Sequence, residues 1–186
     1  MNRNRFQQVS INLKKKQKAF TLVEVLIAIS ILVVGILSGF ILIAKVLYNT
    51  AVIQDRLTAS FLAQEGIELV RQVRDSNFLK IMNGESVEWK DRLADGSYTI
   101  ESKVESGQSV TLVSKDPGKS PNFLYDEDDT RIYNYATGEE TTFNREIIIT
   151  TINDHAIRVQ SIMKWTTKRI DFTLTVEDHL FNWLKL

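Results

Sequence analysis

The chain has 186 residues, of which 44% are hydrophobic and 9% aromatic, and its 23 basic residues balance its 23 acidic ones. This composition excludes a disordered chain and is sufficient for one modest domain with a buried core. The sequence contains no cysteine, which excludes a disulfide scaffold, a cysteine-ligated zinc site and thiol catalysis. The balanced charge does not indicate a nucleic-acid partner.

The charges are nevertheless separated along the chain. Residues 1–19 carry six basic residues and no acidic one, namely Arg3, Arg5, Lys14, Lys15, Lys16 and Lys18. Val25 to Ala44 then form a run of 20 residues without a charge. As a helix this run would span about 30 Å, the thickness of a bilayer core. The positive-inside rule predicts a cytoplasmic N-terminus, with everything after Lys45 on the outer side of the membrane.

Three interpretations of this apolar run compete. A cleaved secretory signal has a shorter apolar core and a small-x-small cleavage site, whereas Leu42-Ile43-Ala44-Lys45 fits such a site poorly. A plain signal anchor fits the hydrophobicity. The third interpretation starts from Glu24, whose carboxylate at a membrane edge requires a cationic partner. Lys18 does not lie on the matching helix face, but a cut between Ala19 and Phe20 would create an α-amine that could pair with Glu24.

The stretch from Lys14 to Ala28, KKKQKAFTLVEVLIA, resembles the type IV prepilin signature. The resemblance implies that a prepilin peptidase cuts after Ala19, that the new amine of Phe20 is methylated, and that Glu24 serves assembly. Ala19 replaces the usual glycine but is small enough for the same subsite. The implied partners are other pilin or pseudopilin subunits, the inner-membrane assembly platform, and membrane lipid before assembly. No cofactor, metal site or catalytic residue is expected.

The apolar run is predicted to continue as an amphipathic helix that ends near Lys80, before Asn83-Gly84. Apolar residues recur at spacings of three or four in two sets: Val46, Thr50, Ile53, Leu57 and Phe61, and then Leu62, Gly66, Leu69 and Val73. Gly66 predicts a packing contact because glycine is unfavourable inside a helix. Arg71 and Asp75 have the spacing of an ion pair. The stretch from Leu62 to Arg71 is similar to PilV-type minor pilins and to the I-type minor pseudopilins of type II secretion.

The remainder of the chain predicts an antiparallel sheet with one buried face. Strands are expected at 97–104, 109–114, 131–135, 143–152, 157–165 and 170–176, and residues 180–184 either extend the last strand or dock as a tail. The predicted organisation is a basic leader (1–19), a transmembrane and assembly helix (20–45), its amphipathic continuation (46–82) and a β-rich head (83–186). The fold class is therefore α+β, with the second half of the helix packed on the sheet, as the pilin resemblance also implies.

Outside the N-terminal motif, the sequence shows little chemistry. The cluster from Asp126 to Asp129 predicts a solvated loop, with calcium binding as the weaker alternative. His155 and His179 are not part of a recognisable catalytic pattern. The sequence thus predicts a non-catalytic filament subunit, in the cytoplasmic membrane before assembly and in an extracellular or periplasmic filament afterwards. The alternatives are a major subunit of such a filament and a single-pass anchored, extracellular β-rich binding domain or enzyme.

Overall fold

The computed structural model describes residues 20–103, 109–116, 118, 120–127 and 133–184. Its elements are α1 (Leu22–Met82), β1 (Gly96–Lys103), β2 (Ser109–Lys115), β3 (Asn122–Tyr125), β4 (Tyr133–Asn134), β5 (Glu139–Asn153), β6 (Ala156–Thr167) and β7 (Ile170–Phe181). One long helix packs on an antiparallel sheet, which confirms the α+β fold. Its internal contacts divide the chain between Leu47 and Tyr48. We call residues 20–47 the apolar unit and residues 48–184 the globular unit.

The C-terminus of α1 is closed by a glycine. Gly84 has a φ of 85°, a left-handed conformation that glycine adopts without steric cost. The Glu85 N–H donates to the Lys80 carbonyl at 3.0 Å, and the Gly84 N–H donates to the Ile81 carbonyl at the same distance. These two bonds form a Schellman cap. The helix therefore ends at Met82, two residues beyond the predicted end and immediately before the predicted Asn83-Gly84 signal.

The sheet is organised around the long strand β5. One edge of β5 pairs with β6, which in turn pairs with β7. The opposite edge is shared, because Gly96–Tyr98 of β1 pair with residues 147–149 while β3 pairs with residues 139–144. All these pairs are antiparallel, and β2 and β4 extend β1 and β3 respectively. The sheet consequently divides at Arg145 and Glu146, between the two strands that share this edge.

The second predicted apolar set of α1 forms the contact with the sheet. Leu62, Gly66, Leu69 and Val73 are all buried. A Cβ on Gly66 would lie 2.8 Å from Ile147 Cδ1, which confirms the predicted packing contact. In the first set the four large apolar side chains, Val46, Ile53, Leu57 and Phe61, are instead 54–65% exposed. The same periodicity therefore marks one face that the sheet covers and another that remains on the surface.

The buried Arg145 connects the helix to the divided sheet. Its guanidinium donates to the carbonyls of Leu62 at 2.7 Å and Ile100 at 2.8 Å, and to the Glu65 carboxylate at 2.8 Å. The guanidinium carbon also lies 4.9 Å from the centre of the Phe123 ring. The side chain is only 1% exposed, and such a buried charge requires partners of this kind. Arg145 thus joins α1, β1 and β5 at a single point.

Several sequence predictions are corrected by the pairing. β3 is not among the predicted strands, because its four residues are too few to show alternation. β5 begins at Glu139 rather than 143, since the polar residues 139–142 are recruited by pairing with β3.

Arg71 pairs with Glu68 and Asp178, whereas Asp75 pairs with Arg74, so the predicted Arg71–Asp75 pair is wrong. Arg71 faces β7, which offers a carboxylate that helical spacing could not predict. β7 extends to Phe181, and Val104, Arg131 and Ile132 lie outside the described residues.

Candidate assembly and membrane-anchoring site

The N-terminus of α1 is capped by Thr21. The Glu24 N–H donates to Thr21 Oγ1 at 3.2 Å, and the Val25 N–H donates to the Thr21 carbonyl at 3.2 Å. Thr21 therefore occupies the N-cap and Glu24 the third helical position, which is the spacing of a capping box. This capping role is not among the sequence predictions, although the Thr-x-x-Glu spacing is the usual signal for it.

Phe20 and Glu24 are both accessible to other molecules. Phe20 is 76% exposed, and Glu24 is also exposed on the first turn of α1. A carboxylate in the first turn is stabilised by the partial positive charge of the helix N-terminus. The exposed oxygens of Glu24 are available to a cationic partner. Ala19 lies outside the described residues, so cleavage between Ala19 and Phe20 stays a prediction.

The apolar unit presents a continuous hydrophobic surface. Every residue from Phe20 to Thr50 is exposed in the structure. Two polar side chains within the apolar run are satisfied locally, because Ser30 Oγ donates to the Leu26 carbonyl at 2.8 Å and Ser38 Oγ donates to the Val34 carbonyl at 2.7 Å. Helix α1 is long and apolar enough to cross a membrane. Both hydroxyl donors are therefore hydrogen-bonded within the helix, as polar groups in the core of a bilayer must be.

The aromatic residues near the sheet division form part of the core. Phe143 is buried, and Tyr135 stacks on the buried Phe123 with their ring centres 4.5 Å apart. Burial raises the pKa of Tyr135 to about 12. Tyr133 contacts the same cluster, and burial likewise raises its pKa. These contacts place the aromatic residues in a core and not on a ligand-binding surface.

The remaining candidate groups are dispersed. Within the described ranges, no three histidine or acidic residues are arranged to hold a metal ion. Of the acidic loop, Asp126 and Glu127 are described, whereas Asp128 and Asp129 are not. His155 is exposed in the β5–β6 turn, and His179 Nε2 lies 3.4 Å from the Glu177 carboxylate. The structure does not bring these two histidines together, because His155 lies in a turn whereas His179 lies on the exposed side of β7.

Comparison with protein-family models matches residues 14–40 to the prokaryotic N-terminal methylation motif. No match was found among curated proteins or among solved structures. The matched range contains Ala19, Phe20, the Thr21 cap and Glu24, together with most of the apolar run. The motif indicates a type IV prepilin-like protein. Together with the membrane-capable helix, it fits a type IV pilin-like subunit that is anchored by its N-terminal helix, processed by a prepilin peptidase and assembled with other pilins.

Proposed function

We propose that this protein is a minor pilin or minor pseudopilin of the PilV or I type, which acts by assembly and not by catalysis. The observation that carries the proposal is the methylation motif at residues 14–40, placed directly before a helix that can cross a membrane. The similarity of Leu62–Arg71 to these minor subunits supports the subtype. In the structure, six residues of this stretch are buried, namely Leu62, Ala63, Gly66, Ile67, Leu69 and Val70.

The proposed maturation begins at the cytoplasmic side of the membrane. Prepilin peptidase cuts after Ala19, and the amine of Phe20 is then methylated and retains its positive charge. The exposed position of Phe20 beside the first turn of α1 supports this order of events, since the new terminus is accessible to a modifying enzyme. Before assembly the protein crosses the cytoplasmic membrane once, with its globular unit on the outer side.

Glu24 is the proposed assembly residue. An ionised carboxylate at the membrane edge is costly without a cation, and the Thr21 cap together with the helix N-terminus supplies only partial positive charge. The charged amine of a Phe20 in a neighbouring subunit completes the pairing in the filament. Because Glu24 belongs to the apolar unit, its loss is expected to leave the stability of the globular unit unchanged.

The test compares wild type with Glu24→Ala and Glu24→Gln, each coexpressed with the cognate peptidase and assembly system. Intact mass should show loss of 19 residues and gain of one methyl group in all three, because the cut precedes Phe20. Crosslinking into sheared filaments should be strong for wild type and weak for both variants. Glu85→Gln, at an exposed acidic residue just after α1, is the matched control and should incorporate like wild type.

Two results would overturn this proposal. A mature chain that begins at Met1 would exclude processing, and equal incorporation of all the variants would remove Glu24 from the mechanism. Either result would favour the alternative function, a single-pass anchor that carries an extracellular binding domain or enzyme.

The proposed division of the chain has its own test. Residues 46–186 should form a soluble monomer without a cofactor, because the long apolar run is absent from this fragment. The division of internal contacts between Leu47 and Tyr48 supports this boundary. A fragment that stays insoluble until residues 20–45 are restored would contradict it.

A further inference from the structure

Two adjacent cations form the tip of the β6–β7 hairpin. Thr167 pairs with Ile170, so Lys168 and Arg169 are the two central residues of a two-residue turn. Their φ angles are 51° and 69°, the left-handed conformation that such turns normally assign to asparagine and glycine. A lysine and an arginine adopt it only at a steric cost. Local turn geometry therefore does not explain why these residue types occupy the tip.

The charges of the tip are available to another molecule. Lys168 and Arg169 are both exposed, and neither has an ion-pair partner among the residues that the structure describes. The position of the tip is fixed, because Thr167 Oγ1 donates to Asp55 Oδ2 of α1 at 2.7 Å. The hairpin thus presents two positive charges at a defined place beside α1.

A groove of opposite charge lies farther along the same globular unit, between α1 and β7. Its volume is about 540 Å³. It is lined by the acidic residues Glu65, Glu68 and Asp178 and by apolar side chains that include Phe61 and Val176. Glu177 also borders the groove, but its carboxylate accepts a hydrogen bond from Gln160 on the opposite face of the sheet. Phe61 is 62% exposed, and β6 is the only strand that pairs with β7 within the described residues. The surface of the groove therefore combines an uncovered aromatic ring, an unpaired strand edge and several carboxylates.

The cations already in the groove do not neutralise it. Arg71 donates to Glu68 at 2.5 Å and to Asp178 at 2.7 Å, and its hydrogen bond to the Asp178 carboxylate raises the pKa of Arg71. Arg145 contacts Glu65 from the core side. The carboxylates of Glu65, Glu68 and Asp178 thus face two arginines, and the side chains of Glu65 and Glu68 are still 47% and 62% exposed. The groove keeps an excess of negative charge directed outward.

We propose that the Lys168–Arg169 tip of one copy docks into the α1–β7 groove of a second copy, beside Phe61. This inference rests on the proposed function, because it describes a contact between neighbouring subunits of a filament. Charge complementarity selects the occupant, since the same chain carries both a rigid cationic tip and an anionic groove. For a subunit present in few copies per filament, this contact requires that two copies be adjacent.

The positions of the tip and the groove determine the kind of assembly. Glu68 lies about 20 Å farther along α1 than Asp55, at 1.5 Å per residue. Glu177 lies about 25 Å from Arg169 along β7, at 3.3 Å per residue. Both elements therefore give a similar axial separation between tip and groove. Contact between two different surfaces of identical chains is heterologous, and where its rotation does not close a ring, each added copy exposes a new groove, as a filament requires.

The first test separates the charges of the tip from the stability of its turn. Lys168→Asn combined with Arg169→Gly gives the turn its preferred residues and removes both charges. We expect this variant to melt at the same or a higher temperature than wild type, yet to incorporate into filaments about tenfold less, the effect of losing about 1.4 kcal/mol of contact energy. Incorporation equal to that of wild type would overturn the proposal.

The second test exchanges the charges in the full-length chain. Lys168→Glu with Arg169→Glu should reduce incorporation, and so should Glu68→Lys with Gln64→Lys, both at exposed residues that line the groove. All four changes in one chain should restore it, because the charges of tip and groove are then reversed together. If the four-residue variant incorporates no better than the two-residue variants, this contact is not formed.

The third test uses the absence of cysteine from the chain. Arg169→Cys and Glu68→Cys should form a disulfide between copies in sheared filaments, whereas Arg169→Cys with Glu85→Cys should not. If no copy-to-copy disulfide forms at 169 and 68, the proposal is wrong even where residue 169 crosslinks to lipid or to another subunit. If wild type is neither processed nor incorporated, the proposed function and this inference both fail. If wild type and the tip variants all assemble normally, only the docking inference is overturned.

Discussion

Helix α1 contributes to two units that use hydrophobic residues differently. In the apolar unit, the side chains from Phe20 to Leu47 are exposed on all sides of the helix. In the globular unit, ten helix residues between Ala59 and Phe78 are buried. The sequence of the first part is uniformly apolar, whereas that of the second repeats every three or four residues. Uniform hydrophobicity requires an apolar environment on every side, which a single sheet cannot provide.

The difference shows how one element can serve both folding and assembly. The buried face of the second part is matched by side chains of the sheet, so its free energy contributes to the stability of the monomer. The exposed surface of the apolar unit makes no such contribution within one chain, and it is available to lipid or to other subunits. Mutations in the two units should therefore affect different measurements: thermal unfolding for the globular unit, and local helix order or assembly for the apolar unit.

The largest expected effect on folding is at Arg145 in the globular unit. Arg145→Met removes the donor to the Leu62 and Ile100 carbonyls and leaves Glu65 without its cation. Breaking a buried ionic network in this way costs about 4 kcal/mol. Arg71→Met is the matched control: its pairs are partly exposed, so it should cost less than about 1 kcal/mol. Denaturant unfolding of the purified protein measures both, and equal losses would show that Arg145 is not central to the core.

A pair of glycine substitutions compares the two units directly. Gly66→Val should destabilise the globular unit by about 3 kcal/mol through overpacking, because even a Cβ there lies 2.8 Å from Ile147 Cδ1 and 2.9 Å from Ser161 Oγ. Gly39→Val meets no atom within 4 Å and should leave thermal unfolding unchanged. Calorimetry of both variants in detergent tests the comparison. A lower melting temperature for Gly39→Val would show that the apolar unit contributes to the fold of the globular unit.

Alkaline pH should affect the globular unit through Tyr135. Burial raises its folded-state pKa to about 12, compared with about 10 in an unfolded chain. The neutral phenol is thus favoured in the folded state, so its contribution is complete below pH 10 and is lost as the pH rises towards 12. Between pH 9 and pH 12, wild type should lose about 2 kcal/mol more unfolding free energy than Tyr135→Phe. Tyr48→Phe, at an exposed tyrosine, is the control and should follow wild type; identical pH profiles for all three proteins would contradict the effect of burial.

The smallest effect is expected at the N-cap of the apolar unit. Thr21→Ala removes the acceptor of the Glu24 N–H and should cost about 1 kcal/mol, confined to the first turn of α1. Amide hydrogen exchange at Glu24 and Val25 in micelles should become faster, while the melting temperature of the globular unit stays unchanged. Thr21→Ser keeps the hydroxyl and should retain the protection. Equal exchange in the alanine and serine variants would show that the side chain does not cap the helix.

Local sequence was sufficient to predict the elements whose pattern is repeated over many residues. The apolar run, the end of the helix at Asn83-Gly84, and the alternation of Ile157, Val159 and Met163 in β6 each depend on near neighbours. The three β6 side chains are all fully buried, in agreement with the single buried face predicted for the sheet. The motif at Phe20–Glu24 was likewise recognisable from contiguous residues. Only the capping bond of Thr21 was missed there, although its signal was present.

Tertiary structure decided what depends on residues distant in the chain. β3 exists because β5 offers it an edge, and the polar start of β5 becomes a strand by the same pairing. From the sequence alone, Arg145 is indistinguishable from an ordinary polar residue of a strand. It is buried because the sheet divides at its position and two carbonyls from different elements converge there. The two apolar sets of α1 have the same spacing, and only the position of the sheet determines which one is buried. Periodicity specifies a face, but burial requires a partner surface, and that surface is assembled from residues 80 or more positions away in the chain.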